Sequence, residues 1–146
     1  MPAKKIYEGA VVIFYQIKNG QPLFLVVQNT KTGNTAFVAG AKEDYDNSLL
    51  ATAQREIKEE LGFDKNQYQL ISTEIKYEFI FGPQKKERAG ATGHYQVFLG
   101  KFYNPLEISY TPELKTVKWL TSDQTLEVLT FQDLKEVFGK VRNLMP

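Results

Sequence analysis

Cysteine is absent from the 146 residues, and the chain has a single histidine, His94. Disulfide bonds, thiolate metal sites and cysteine nucleophiles are therefore excluded, and so is a metal site built from several histidines. Any bound metal ion must be held mainly by carboxylates, which favours Mg²⁺, Mn²⁺ or Ca²⁺ over softer metals. The absence of cysteine also fits the reducing cytoplasm, where we expect the protein to reside.

The chain has no marked excess of charge, because 18 Lys and Arg oppose 17 Asp and Glu for a formal net charge of +1. No broad basic field is therefore present to attract duplex nucleic acid. Long hydrophobic runs are missing as well, and the apolar run at residues 9–15 is too short for a signal sequence or a membrane span. We expect neither duplex nucleic acid nor a membrane as a partner.

Hydrophobic residues make up 42% of the chain, which is enough for a core in one domain over residues 1–146. Strands are predicted from β-branched and aromatic runs. The predicted strands are residues 9–17, 22–28, 35–38, 68–81, 93–103 and 117–120. Lys18, Asn19 and Gly20 form a predicted turn between the first two.

Three helices are predicted around these strands: residues 48–61, a short one at 122–129, and a final one capped by Thr130. The final helix has one apolar face, which consists of Phe131, Leu134, Val137, Phe138 and Val141. The element order predicts an α/β (α+β) fold, an α/β/α sandwich with a mixed β-sheet between helices.

The helix at residues 48–61 has clear start and stop signals. Ser48 stands at the N-cap position, and Gly62 is a natural C-terminal stop. An apolar stripe recurs at helical spacing between them. Its members are Leu49, Leu50, Ala53, Ile57 and Leu61.

This helix carries three glutamates on one face, since Glu56, Glu59 and Glu60 follow the spacing i, i+3, i+4. The three charges repel one another unless solvent or a cation relieves the repulsion. Arg55 precedes Glu59 by four residues and can hold its carboxylate in an ion pair. The pattern alone leaves two interpretations open, a solvated acidic face or a site for a hard divalent cation.

The surrounding residues resemble the Nudix box, Gly-x5-Glu-x7-Arg-Glu-U-x-Glu-Glu-x-Gly-U, where U is a bulky apolar residue. The segment Arg55-Glu56-Ile57-Lys58-Glu59-Glu60-Leu61-Gly62-Phe63 matches all seven specified positions of the second half. The first half departs from the pattern, because Ala41 occupies the Gly position and Asn47 the Glu position. Gly40 matches the glycine that commonly precedes that position.

The resemblance implies a hydrolase, dependent on Mg²⁺ or Mn²⁺, that cleaves the pyrophosphate bond of a nucleoside diphosphate linked to another moiety. Expected substrates are dinucleoside polyphosphates, nucleoside triphosphates or capped RNA ends. The catalytic residues implied are Arg55, Glu56 and Glu59, and one of the box glutamates can also serve as general base. The metal ligands implied are Glu56, Glu59, Glu60 and Glu113.

Glu113 is included because it precedes Trp119 by six residues, which is similar to a segment of diadenosine-tetraphosphate hydrolases. That similarity favours the diadenosine-tetraphosphate type slightly over the MutT type, which removes damaged nucleoside triphosphates. Glu87 is the alternative extra ligand. Both carboxylates can equally be ordinary surface residues.

Substrate contacts are expected from the loop around residues 82–92 and from the sheet. The candidate substrate-binding residues are Gly40, Ala41, Lys85, Lys86, Arg88 and Tyr95. The basic residues of the loop can contact polyphosphate or simply be solvated. Tyr77, Phe79 and Tyr95 can stack on a base or belong to the core. For His94, a structural role is favoured.

A second functional hypothesis is a Nudix-fold module that binds a nucleotide or a protein partner with weak or no catalysis. Ala41 and Asn47 favour it, whereas the intact segment at residues 55–63 favours the enzyme. A third is an unrelated α/β protein with an acidic helix, which requires the seven-position match to be accidental. The sequence leaves the choice between monomer and homodimer open.

Overall fold

The structure, a computed structural model, describes residues 5–83, 87–104 and 112–145. Along this part of the chain lie seven strands, three α-helices and one 3₁₀ turn. The strands are β1 Ile6–Lys18, β2 Gln21–Asn29, β3 Thr35–Ala36, β4 Val38–Ala41, β5 Tyr68–Ile80, β6 Thr92–Phe102 and β7 Leu114–Leu120. The helices are α1 Leu49–Leu61, α2 Ser122–Val128 and α3 Gln132–Asn143, and the 3₁₀ turn is Lys65–Gln67.

The strands form a mixed sheet that is organised around β1. The strand order is β3-β2-β1-β6-β5, with β4 also paired to β1 and β7 also paired to β2. β1 runs parallel to β6 and antiparallel to β2 and β4, so the prediction of a mixed sheet is confirmed. The predicted hairpin turn is also present, and both Asn19 and Gly20 adopt the positive φ angles of tight hairpin turns.

β1 separates two halves of the core, because alternate residues of a strand face opposite sides. Val11 and Ile13 belong to a buried cluster that includes α3, where Phe138 and Val141 are fully buried. The alternate residues of β1 belong to a second cluster that includes α1. The members from β1 are Ala10, Val12 and Phe14, and those from α1 are Ala53, Ile57 and Leu61. Helices therefore cover both sides of the sheet, as predicted.

The two ends of α1 are as predicted. The Ser48 hydroxyl accepts a hydrogen bond from the Ala51 backbone N–H at 3.1 Å. Gly62 has a left-handed φ of 79° and donates its N–H to the Lys58 carbonyl at 3.0 Å. One position of the predicted apolar stripe is wrong, since Leu50 is 42% exposed. It lies on the solvent side of the helix.

The predicted start of α3 is wrong in two details. Thr130 does not cap the helix, because its hydroxyl accepts the backbone N–H of Thr35 at 2.8 Å. The cap position belongs to Phe131, which makes no side-chain capping bond and is 41% exposed, so it lies outside the buried face. The other four residues of that predicted face are buried. Thr130 thus fastens the segment before α3 to β3.

Among the described residues, no helix combines the length and the apolar character that crossing a membrane requires.

Replacement of Phe138 by Ala should lower the free energy of unfolding by about 3–5 kcal/mol, because it empties a fully buried site between two aromatic rings. Phe131→Ala, at the N-cap of the same helix, is the control and should cost about 1 kcal/mol or less, since Phe131 is 41% exposed. Urea denaturation of both variants measures the difference. Equal losses would contradict the assignment of the α3 core.

Candidate active site

Two glutamates of α1, Glu56 and Glu60, face β4. Glu60 is only 9% exposed and Glu56 is half-buried, whereas Glu59 remains exposed. The backbone of Ala39 in β4 lies close enough to Glu60 to favour its ionised form and lower its pKa. The helix therefore places two of its three glutamates against the sheet and leaves the third at the rim.

Gly40 of β4 makes room for one of these carboxylates. A Cβ at this position would overlap the carboxyl group of Glu56. Because a glycine has no side chain, the backbone of β4 and the acidic face of α1 can approach each other here. Gly40 thus acts on the site through the position of Glu56.

The buried pair is electrostatically crowded. Burial raises the pKa of Glu60 to about 9, and the nearby charge of Glu56 raises it further in the same direction. Burial also raises the pKa of Glu56 to about 7, although Arg55 acts against that shift. The Oε2 atom of Glu60 is buried and has no hydrogen-bond donor among the described residues. Such a group is suited to accept a cation.

Arg55 connects three carboxylates through its planar guanidinium group. Its NH1 donates to Glu56 Oε1 at 2.9 Å and to Glu59 Oε2 at 3.2 Å. Its NH2 donates to the Ala41 carbonyl at 2.8 Å and to Asp46 Oδ2 at 3.0 Å. Arg55 therefore holds both Glu56 and Glu59, which extends the single ion pair that the sequence predicts.

Asp46 is the participant that the sequence analysis missed. It is 6% exposed, and the hydrogen bonds from Arg55 hold its pKa at about 2. The sequence places it in a polar, turn-like segment, which gives no sign of burial. Its position nine residues before Arg55 is not a helical spacing, so only the folded loop brings the two together.

A cavity of about 350 Å³ opens beside Glu60. Its wall includes Gly40, Ala41, Arg88 and Tyr95, four of the six predicted substrate-binding residues. Further lining comes from the aromatic residues Tyr77, Phe79, Phe81 and Phe131. The cavity therefore combines aromatic surfaces with a carboxylate and a guanidinium at its edge, as nucleotide sites do.

The predicted aromatic residues serve both the core and the cavity. Phe79 meets Tyr95 edge-to-face, and the Tyr77 hydroxyl donates to Asp133 Oδ1 at 2.9 Å. The guanidinium of Arg88 lies 5.0 Å from the ring of Tyr7. These contacts fix the walls of the cavity without filling it.

The remaining candidates are less closely joined to the pair. Glu113 is exposed, yet its charge contributes to the raised pKa values of Glu56 and Glu60. Glu87 is exposed as well. His94 faces the side of the sheet opposite Tyr95, since neighbouring strand residues alternate. Lys85 and Lys86 lie outside the described residues.

In the described part of the chain, no three acidic or histidine side chains are gathered closely enough to hold one metal ion together. Arg55 forms ion pairs with both Glu56 and Glu59, at 2.9 Å and 3.2 Å.

The family model described as NUDIX domain matches residues 7–139 of the sequence. The chain belongs to the NUDIX family. This Nudix protein is therefore a pyrophosphohydrolase that acts on nucleoside diphosphates linked to another group, and enzymes of this family generally use divalent metal ions. The resemblance inferred from the box is confirmed. No curated protein matches the sequence significantly.

Solved structures share the fold at low sequence identity. A C. elegans Ap4A hydrolase in a binary complex superposes with a TM-score of 0.80 at 17% identity, over 95% of this chain and 97% of that one. The E. coli dihydroneopterin triphosphate pyrophosphohydrolase gives 0.77 at 20% identity, over 93% and 97%. The MutT protein from Methanosarcina mazei Go1 gives 0.74 at 16% identity, over the full length of both chains.

Gly40→Ala should move the carboxylate of Glu56 while leaving the Nudix fold intact, because the overlapping atoms are the far end of a flexible side chain. We expect weaker divalent-cation binding and slower hydrolysis with little change in thermal stability. Gly139→Ala is the control, since a Cβ there meets no atom within 4 Å. Unchanged cation binding and turnover in Gly40→Ala would contradict the close approach of β4 and Glu56.

The metal-free protein should lose stability as the pH rises from about 5 to 9, because Glu60 binds a proton more tightly in the folded state than at its ordinary pKa of 4.5. A raised pKa stabilises the fold below the unfolded value, and this contribution disappears as the pH passes the folded one. Thermal unfolding at several pH values measures the loss, which Glu60→Gln should reduce. An identical pH profile in the variant would contradict the buried position of Glu60.

Proposed function

We propose that the protein is a Mg²⁺-dependent hydrolase of dinucleoside polyphosphates or nucleoside triphosphates, with the dinucleoside class favoured. The observation that carries this proposal is the buried Glu56–Glu60 pair, which lies beside a cavity of nucleotide-binding character. Such a substrate has phosphates at one end and a nucleoside at the other. The carboxylates can hold the metal ion that binds the phosphates, and the aromatic-lined cavity can hold the nucleoside.

We assign the metal site to the three box glutamates of α1 together with Glu113. Its ligands in this proposal are Glu56, Glu59, Glu60 and Glu113. The residues fit such an ion, since Glu60 Oε2 is buried with no donor in the described part of the chain, and all the ligands are the oxygens that Mg²⁺ or Mn²⁺ prefers. A bound divalent ion supplies charge neutralisation at the phosphates and lowers the pKa of a coordinated water.

The protein's own groups orient that site. Arg55 fixes the carboxylates of Glu56 and Glu59, one of which we assign as general base for the attacking water. Gly40 and Ala41 form the wall next to Glu60, where the phosphates would pass. The carbonyl of Ala41 already accepts a hydrogen bond from Arg55, so it contributes to the wall through the backbone.

The nucleoside would occupy the aromatic part of the cavity. Tyr95 and Phe79 form one wall, and Arg88 stands at the edge where it can meet a phosphate oxygen. In this proposal Lys85 and Lys86 of the same loop add further positive charge. The two names Ap4A hydrolase and dihydroneopterin triphosphate pyrophosphohydrolase, printed for similar folds, support a substrate with a chain of several phosphates.

The remaining expectations complete the proposal. One domain spans residues 1–146, the protein acts in the cytoplasm as a monomer or homodimer, and neither duplex nucleic acid nor a membrane is a partner. Weak or absent catalysis in a nucleotide-binding module is the alternative, and the experiment below decides between the two.

The decisive assay measures Mg²⁺-dependent product release from diadenosine tetraphosphate, oxidised nucleoside triphosphates, nucleotide sugars and 5′-triphosphate RNA. Glu59→Gln and Glu60→Gln should each reduce kcat on the order of a hundredfold or more, because each removes a carboxylate ligand of the proposed metal ion. Both variants should remain folded by circular dichroism.

Glu136→Gln, an exposed position on α3, is the control and should retain full activity. Retained turnover in both glutamate variants would remove the proposed metal site. Tight nucleotide binding with no turnover of any substrate would instead establish the binding module.

A further inference from the structure

The guanidinium of Arg55 is fixed along one edge by a single carboxylate. Nε donates to Asp46 Oδ1 at 3.1 Å, and NH2 donates to Asp46 Oδ2 at 3.0 Å. Two parallel bonds of this kind set both the plane and the rotation of the group, because guanidinium is rigid and planar. Once that edge is fixed, the direction of NH1 is fixed too, and NH1 is the atom that holds Glu56 and Glu59.

Asp46 is itself held rigidly. Its Oδ2 accepts the hydroxyl of Thr52 at 3.0 Å and the backbone N–H of Glu43 at 2.9 Å. Thr52 is fully buried on the first turns of α1, so the loop and the helix are joined at the carboxylate. Asp46 is therefore held in place by groups other than Arg55 and can fix the guanidinium rather than follow it.

The adjacent position 47 does not share this role. The box pattern has a glutamate there, whereas this chain has Asn47, whose side chain is exposed. The N-cap of α1 is provided by Ser48, so Asn47 is not needed for capping either. The box pattern has an acidic residue at position 47, whereas in this chain the acidic partner of Arg55 is at position 46.

We propose that Asp46 is the positioning residue of the metal site: it orients Arg55, and through Arg55 the ligands Glu56 and Glu59, in place of the glutamate absent at position 47. The departure at Asn47 is then a relocated carboxylate rather than a sign of lost activity. This inference rests on the proposed function, because the residues positioned are its metal ligands.

The first test measures Mn²⁺ affinity by isothermal calorimetry on the full chain, with turnover recorded separately. Asp46→Asn keeps the size of the side chain but replaces one acceptor by a donor that faces Arg55. We expect the Kd for Mn²⁺ to rise about 10–100-fold, as for other residues that orient metal ligands, and kcat to fall more than KM rises.

Asp64→Asn is the matched control, because Asp64 forms an exposed ion pair with Lys58 at the other end of α1. It should leave the Kd for Mn²⁺ unchanged. A folded Asp46→Asn variant with wild-type Mn²⁺ affinity would overturn the positioning role, whatever its loss of thermal stability.

The second test is rescue by position. Adding Asn47→Glu to Asp46→Asn restores a carboxylate where the box pattern has one, and it should recover at least part of the lost Mn²⁺ affinity. No recovery in a folded double variant would overturn the claim that Asp46 replaces the missing glutamate. If Asp46→Asn does not fold, Asp46→Glu supplies the comparison, with a smaller rise in the Kd for Mn²⁺ expected and an unchanged Kd counting against the proposal.

The two proposals fail in different ways. Wild-type protein that binds Mn²⁺ and loses that binding in Asp46→Asn, yet hydrolyses no nucleotide, would remove the proposed function and leave the positioning role intact. Wild-type hydrolysis together with unchanged Mn²⁺ affinity in Asp46→Asn would remove the positioning role alone.

Discussion

Glu56 and Glu60 approach each other in a place with little access to water, and the rest of the site depends on this crowding. A buried carboxylate resists ionisation because its hydration is lost, and a second one nearby adds repulsion. Burial, the first cause of both shifts, raises the pKa of Glu56 to about 7 and that of Glu60 to about 9, and the charge of Glu56 adds to the shift of Glu60. Arg55 pairs with Asp46, Glu56 and Glu59 but not with Glu60, whose buried Oε2 has no hydrogen-bond partner among the described residues.

The scaffold creates this crowding with few residues. β4 pairs with β1 and passes directly over α1, and Gly40 permits the contact because it lacks a side chain. The same strand forms part of the cavity wall, so one segment joins the acidic site to the proposed nucleotide site. Asp46, in the loop between β4 and α1, then fixes the guanidinium of Arg55. The carboxylates, the cavity wall next to them and the contacts that hold the site rigid are thus provided by one strand, one loop and one helix.

The sequence predicted local features well and tertiary contacts poorly. Ser48 and Gly62 define α1 because a capping side chain and a left-handed glycine act within a few residues of themselves. The burial of Asp46 could not be predicted in this way, since its partner Arg55 is reached only after the loop folds back on the helix. The prediction that Thr130 caps α3 was wrong for the same reason. A Thr hydroxyl is typical of a helix cap, but this one accepts the backbone N–H of Thr35 in the distant strand β3. The residues of the box were identified from the sequence because their pattern is specific. The aromatic cavity could not be predicted in this way, because the positions of its side chains depend on the register in which β5 and β6 pair.

Proton release on metal binding tests the crowded pair most directly. Calorimetric titration of Mn²⁺ at pH 7 in two buffers of different ionisation enthalpy gives the number of protons released, since carboxylate ligands must be deprotonated to bind a metal. The raised pKa values of both glutamates predict release of at least about one proton per site, and this release should fall in Glu60→Gln to the smaller share that comes from Glu56. Binding of Mn²⁺ without any proton release would show that both glutamates are already ionised at pH 7, which would contradict the raised pKa values of the pair.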